Sequence, residues 1–137
     1  MASNLKYAAA LKISRLNAIT TAISTSGLLS IYSGVQPTNP DTALSSNTLL
    51  AQLALSATFA PTASGTSTVT LTANAITTET SANNTGTATW GTLTTSGGTR
   101  IVDFSVGTTG CDLNLNTTSI VAGASVAVSS LVLTAGN

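Results

Sequence analysis

The sequence contains no histidine among its 137 residues. This absence excludes Ser-His-Asp and Cys-His catalytic systems, acid–base catalysis by imidazole and most zinc sites. The four acidic residues are Asp41, Glu79, Asp103 and Asp112. Asp103 and Asp112 flank a glycine-rich connection and can approach one another, as a glycosidase pair must, but nothing marks either as an acid with a raised pKa. We therefore expect no enzymatic activity and no cofactor.

Charge is also scarce. Charged residues make up 6% of the chain, against roughly 25% in a typical soluble domain. The formal net charge is zero, while hydrophobic residues reach an ordinary 42%, and this combination is typical of a folded domain rather than a disordered one. Surfaces without net charge do not repel one another, so a free monomer of this kind tends to associate. We expect a subunit of an oligomer or a larger assembly.

The few cations do not form a basic patch. Lys6, Lys12 and Arg15 lie near the start of the chain and Arg100 stands alone, whereas binding to a phosphate backbone needs several clustered cations. We expect no direct contact with nucleic acid; a solvated helix face or a weak contact to an anionic partner explains the three cations. No run reaches the roughly 20 apolar residues that span a membrane. Arg15 also interrupts any signal-peptide core, so neither secretion by that route nor membrane insertion is expected.

Cysteine and aromatic residues are similarly few. The single Cys111 excludes an intrachain disulfide, and its neighbours offer no cation to activate a thiolate, which favours a small residue in or near the core. With one Trp, two Tyr and two Phe, an aromatic binding platform is not expected. Trp90, Phe59 and Phe104 are interpreted as core or interface anchors.

The first 25 residues follow a helical pattern. Apolar residues recur at steps of three and four, the spacing of one helix face: Leu5, Ala9, Ile13, Leu16, Ile19 and Ile23. Ser3 or Asn4 is the predicted cap, and Gly27 follows the predicted end. We predict one amphipathic helix of about 20 residues within an N-terminal arm, residues 1–26. The arm packs on its own domain or docks on a neighbour; both alternatives stay open.

Residues 27–137 have the composition and residue pattern of a β domain. Short runs rich in Thr, Val, Ile and Leu alternate between faces and are separated by Gly, Pro, Asn and Ser. The predicted strands are 28–32, 48–55, 67–75, 87–94, 100–106, 112–115 and 125–134. Gly97-Gly98 predicts a hairpin turn. The fold class is mainly β: an antiparallel β-sandwich or jelly roll of about seven or eight strands, with one N-terminal amphipathic helix.

Asp112, Asn114 and Asn116 are the most site-like residues. Their spacing resembles the start of a calcium loop, but Thr117 and Gly123 occupy the positions of its sharp-turn glycine and bidentate glutamate. In a strand the same alternation simply places three polar residues on one face. The strand interpretation is favoured, with a weak calcium site as the alternative.

Several segments resemble small virion proteins encoded by tailed bacteriophages. They are 31–37 (IYSGVQP), 41–42, 49–51, 73–76 (ANAI), 86–90 (GTATW) and 112–123 (DLNLNTTSIVAG). The resemblance implies a β-sandwich or jelly-roll subunit, in some cases a cement or decoration protein of the capsid. The chain departs from the pattern of this group at two places. Residues 91–94 are small and uncharged, and Cys111 stands in place of a smaller residue.

This resemblance implies a function and partners. The leading hypothesis is a cement protein on the capsid surface of the virion, made in the cytoplasm of a host bacterium. Its expected partners are the major capsid protein and further copies of the chain in a homotrimer. Candidate interface residues are Leu16, Ile19 and Ile23 on the helix, and Gln36, Pro37 and Pro40 in the proline-rich loop. The alternatives are a receptor- or glycan-binding module of a tail or fibre, and a neck or tail-completion subunit.

Overall fold

A computed structural model of the chain describes residues 4–135. This part of the chain contains one helix, α1 (Ala9–Ile23), and ten strands. The strands are β1 (Leu28–Tyr32), β2 (Leu49–Ala54), β3 (Ser64–Gly65), β4 (Val69–Thr72), β5 (Gly86–Thr87), β6 (Trp90–Thr94), β7 (Arg100–Gly107), β8 (Leu113–Leu115), β9 (Ser119–Ile120) and β10 (Val128–Thr134). The prediction of a mainly β chain with one N-terminal helix is confirmed. Within the described residues, no helix is both long and apolar enough to cross a membrane.

Helix α1 is shorter than predicted. It spans 15 residues, and the residue before its first turn is Ala8, whose side chain provides no capping hydrogen bond. The predicted cap Asn4 therefore lies outside the helix, and the alternative cap Ser3 lies outside the described residues. The helix ends at Ile23 because Ser24 adopts φ 64°, so Gly27 is not its terminating residue.

Gly27 has a packing role instead. A Cβ atom at this position would lie 2.1 Å from Ile23 Cγ2. Only glycine allows the chain to turn so closely against the last residue of α1 and enter β1.

Eight strands form one mixed sheet, in the order β2-β1-β6-β7-β8-β10-β4-β3, and β5 pairs with β9 separately. Neighbours are antiparallel except for β7 and β8, which run parallel through the pairs Val106–Leu113 and Gly107–Asn114. The prediction of a purely antiparallel sheet is therefore wrong at this pair. The strand count also exceeds seven or eight because β3, β5 and β9 are two-residue strands, too short to show alternation.

The parallel pair follows from a tight loop after β7. Parallel neighbours usually need a crossover of a dozen or more residues, but here the chain returns within residues 108–112. Gly110 adopts φ 70°, a conformation that glycine tolerates. Asp112 Oδ2 accepts from Ser105 Oγ at 3.1 Å, and Asn114 Oδ1 accepts from the Cys111 amide at 3.2 Å. These bonds hold the loop closed.

The main core lies on one face of the sheet and includes the helix. Leu29, Leu93 and Phe104 come from neighbouring strands β1, β6 and β7, and Leu16 and Ile23 come from α1. The helix lies against β3, β4 and β7. Full burial of one such aliphatic side chain stabilises the fold by about 1.5–3 kcal/mol, so this cluster is the main source of stability.

The opposite face of β6 is also buried. Every residue of Trp90–Thr94 is buried, although strand alternation sends Trp90, Thr92 and Thr94 to the face away from Leu93. Trp90 lies outside the main core cluster. A second layer therefore covers this face of the sheet.

Candidate functional site

The connection between β1 and β2, residues 33–48, which we call the β1–β2 loop, is joined to this face of the sheet by hydrogen bonds from Arg100. Its exposed large apolar residues are Val35 and Leu44, at 86% and 42%. A shallow cleft of about 280 Å³ lies in the loop and is lined by Val35, Gln36, Pro37, Thr38, Thr42, Ala43, Ser45 and Asn47. The predicted interface residues Gln36 and Pro37 thus line a cleft, whereas Pro40 is half-buried outside its lining.

A side-chain turn shapes the middle of this loop. Asn39 Oδ1 accepts from the Asp41 amide at 3.0 Å and from Thr42 Oγ1 at 3.1 Å. The Thr42 amide also donates to the Asn39 carbonyl at 3.0 Å. Asparagine side chains favour such turns because they take the place of a backbone acceptor, and this turn fixes the direction in which Asp41 projects from the loop.

Arg100 of β7 connects the turn to the sheet. Its guanidinium donates to the Thr42 carbonyl at 2.5 Å and to the Asn39 carbonyl at 3.4 Å. The same group forms a two-pronged ion pair with Asp103 through Nε and Nη2. The two side chains are only 11% and 2% exposed. Four hydrogen bonds, two to backbone carbonyls and two to the carboxylate, hold this buried pair in one geometry.

A β-bulge places Arg100 and Asp103 on the same face. Residues three apart in a regular strand point to opposite faces. The register between β6 and β7 shifts between Leu93 and Thr94, so that Thr92 lies opposite Asp103 and Thr94 opposite Arg100. Thr92 and Thr94 share a face, and their partners therefore share it too.

Two aromatic rings lie beneath the arginine. The Tyr32 and Trp90 rings are stacked, with centroids 4.8 Å apart and an interplanar angle of 13°. The Arg100 guanidinium lies over Trp90, 5.4 Å from the ring centroid, which is within the range of a cation–π interaction. Burial raises the pKa of Tyr32 above its ordinary value of 10.0, with Arg100 lowering it and Asp103 raising it further.

The ends of the β1–β2 loop are held by two more side chains. Asn47 Nδ2 donates to the carbonyls of Ser33 and Val35 at 3.1 and 2.9 Å. Thr89 Oγ1 donates to the Gly34 carbonyl at 2.6 Å. Gly34 itself adopts φ 88°, a backbone conformation that other residues adopt at a cost. The loop is braced from both ends and from its middle, so its exposed residues are held in place before any partner binds.

The predicted helix interface residues lie elsewhere. Leu16 and Ile23 are buried in the main core of the same chain, and Ile19 packs against that core. Of the two alternatives for the arm, the structure shows the one in which the helix packs on its own domain. These three side chains face inward, so the outer face of the helix is made of other residues.

The acidic and amide residues near β8 are used within the chain. Asp112 binds Ser105, Asn114 binds Cys111 and the Ser130 hydroxyl, and Asn116 accepts from the Ala127 amide. Asp103 and Asp112 are held by different partners, Arg100 and Ser105. Among the described residues, no group of three or more Asp, Glu, Cys or His side chains is arranged to hold a metal ion.

The other predicted anchors and the cysteine have definite positions. Phe59 and Phe104 belong to the main core, and Trp90 is buried on the opposite face. Cys111 is free and half-buried. A Cβ at Gly107 would lie 2.7 Å from its Sγ, so the thiol packs against the glycine at the end of β7.

Sequence reasoning missed the braces of the loop. Arg100 was considered only as an isolated cation and Asp103 only beside Asp112, and Asn47 carried no signal. The available signal was Asn39-Pro40-Asp41-Thr42, a sequence that favours a turn. The bulge that brings Arg100 next to Asp103 leaves no comparable trace in the sequence.

Comparisons with known proteins add no relative. No protein-family model matches the chain, and neither a curated protein nor a solved structure matches it.

Proposed function

We propose that the chain is a structural subunit of a tailed-phage particle, of the cement or decoration type. In this proposal it binds the major capsid protein on the outer surface of the shell, together with further copies of itself as a homotrimer. A jelly-roll or sandwich arrangement of the mixed sheet is part of the same proposal. The observation that carries it is the β1–β2 loop, which is braced internally and yet presents Val35 and Leu44 to solvent.

A braced apolar loop suits docking to a rigid protein surface, and in this assembly that surface is a shell subunit or a further copy of the chain. Ordering a flexible loop on binding costs free energy, and a loop that is already held avoids most of that cost. The loop contains one charged residue, Asp41, so little charge must be desolvated when it is covered. These properties favour a binding surface over a catalytic one.

The mechanism of stabilisation is linkage. A protein that binds only the assembled shell stabilises that shell by mass action. Many copies, each with a modest interface, add their contributions, and contacts between copies raise the effective concentration of each one at the shell. No catalytic group or cofactor is required.

The experiment is a quantitative protein gel of purified particles of the phage that encodes the chain. A shell-covering subunit is repeated by the symmetry of the shell, so on the order of hundreds of copies per particle are expected. About a dozen copies or fewer, the number that a tail, fibre or neck position provides, would contradict the cement role and favour those alternatives.

A further inference from the structure

We propose that the outer face of helix α1 on one copy binds the β1–β2 loop of a second copy. Leu11 would enter the cleft of the loop, and Arg15 would pair with Asp41. The contact joins two different surfaces, so it repeats from copy to copy and closes into a ring or continues as a chain. It rests on the proposed function only in that an assembly subunit needs a contact between its copies.

The outer face of α1 is unusually apolar for a helix at a protein surface. Leu11, Arg15, Ala18 and Ala22 are all exposed and follow one another at the spacing of a single helix face. Leu11 is 47% exposed. A solvated helix face normally carries several charges, whereas this one carries only Arg15, whose guanidinium lies 4.9 Å from the Tyr7 ring centroid.

Charge separates the two surfaces. The outer face of α1 carries Arg15 and no acidic residue, while residues 33–48 contain Asp41 and no cation. Asp41 is exposed, and within residues 4–135 the only ion pair is Arg100–Asp103. The helix surface and the loop surface therefore carry opposite charge, each beside exposed apolar residues.

This distribution selects the partner surface. A contact between two copies of the helix would place like charges together, which is unfavourable. A contact between two copies of the loop would do the same with Asp41. Pairing the helix with the loop brings opposite charges together.

The shapes are also compatible. A cavity of roughly 150 Å³ accommodates a molecule as large as benzene, so the cleft of about 280 Å³ has room for one leucine side chain. The helix packs on the main core, whereas the loop is hydrogen-bonded to Arg100 on the opposite face of the sheet. One copy can therefore present both surfaces to two different neighbours.

Sedimentation velocity of the full chain at low salt, over a range of concentrations, tests the contact through charge reversal. R15E and D41R each place like charges at the interface and should each weaken self-association about fivefold. The double variant R15E/D41R reverses both charges and should regain the association of the natural chain. A monomeric natural chain at every concentration would overturn the proposal, and so would a double variant that is no better than the singles.

Apolar substitutions separate this contact from non-specific association. Leu11→Gln keeps a good helix former and should weaken self-association about tenfold. Val35→Thr keeps the shape of the side chain and should weaken it roughly fivefold. Val121→Thr is the matched control, because Val121 is also exposed, at 55%, but belongs to neither surface. Equal losses for Val35→Thr and Val121→Thr would overturn the proposal.

Two further measurements, of folding and of presence in particles, separate a failure of this contact from unfolding and from a failure of the proposed function. Thermal unfolding of every variant by circular dichroism should match that of the natural chain, since all the substituted side chains are exposed. A self-associating chain that is absent from particles would contradict the proposed function but leave this contact standing. A chain abundant in particles but monomeric in solution would contradict the contact and not the function.

Discussion

The two faces of the sheet around β6 are stabilised in different ways. On one face, Leu93 packs with Leu29 and Phe104 in the main core. On the other, Thr92 Oγ1 donates to the Val102 carbonyl at 3.0 Å, and a buried ion pair joins the sheet to the β1–β2 loop. The first face is stabilised by burial of apolar area, which does not depend on how the side chains are oriented. The second face is stabilised by hydrogen bonds, which require defined distances and angles between the groups.

The polar face positions the β1–β2 loop and adds little to the free energy of unfolding. Trp90 Nε1 and Thr94 Oγ1 are buried there with no hydrogen-bond partner among the described residues, and such groups reduce the net gain from burial. Buried ion pairs likewise recover little more than their own desolvation cost. We infer that this face holds the loop in one conformation, whereas the main core keeps the chain folded. The following four substitutions test that division.

Leu93→Ala, on the apolar face, should have the largest effect. Leu93 is fully buried, and truncation of such a residue costs about 2–5 kcal/mol of unfolding free energy, through lost transfer energy and the cavity left behind. Urea unfolding with an unchanged m-value measures it. The matched control is Thr72→Ala at an exposed position of β4, expected within about 0.5 kcal/mol of the natural chain. Equal effects from the two substitutions would contradict the assignment of the main core.

Asp103→Asn, on the polar face, should cost less stability and loosen the loop. Arg100 keeps its two carbonyl acceptors but loses its ionic partner, so a loss of about 1–3 kcal/mol is expected. Amide hydrogen exchange should speed up within residues 33–48 and stay unchanged in α1. Exchange that rises equally in both segments would show that the ion pair supports the whole fold, against the division of roles.

Gly34→Ala tests the brace at the first end of the loop. Gly34 adopts φ 88°, and a Cβ there would lie 3.0 Å from Asn47 Nδ2. A loss of about 1–2 kcal/mol is expected from the backbone conformation. Gly97→Ala is the control, since its nearest atom would be Thr95 Oγ1 at 3.8 Å and its φ is not positive. Both are measured by thermal unfolding, and a neutral Gly34→Ala would contradict the bracing.

Tyr32→Phe should give the smallest effect and only at high pH. Burial raises the pKa of Tyr32 in the folded state, so the folded chain favours the neutral phenol. The resulting stability is fully present below the unfolded pKa, about 10, and is lost as pH rises through the higher folded pKa. The natural chain should therefore lose more stability than Tyr32→Phe between about pH 9 and pH 11 in urea unfolding. Parallel losses would show that Tyr32 does not contribute.

The apolar face was largely predictable from the sequence, because its signals are local. A short apolar run closed by Ser33-Gly34 located β1 at its observed bounds, and the double glycine located the hairpin between β6 and β7, where Gly98 adopts φ 91°. The helical spacing identified Leu16 and Ile23 as members of one face. It did not show which partner that face meets, since periodicity is the same for a core and for an interface.

The polar face was not predictable, because its contacts connect distant positions. Arg100 reaches Thr42 and Asn39 across more than fifty residues, and a bulge sets its direction. The parallel pair of β7 and β8 arises from a loop closed by Asp112 and Asn114. The sequence placed these polar residues on one face by alternation. The spacing alone did not show the loop that they close.

The central claim is that this nearly neutral chain works as a repeated subunit of a particle shell. Counting its copies in purified phage particles, by quantitative gel against the major capsid protein, tests that proposal most directly. The account predicts on the order of hundreds of copies, in a fixed ratio to the capsid subunit. A count of about a dozen or fewer would contradict it.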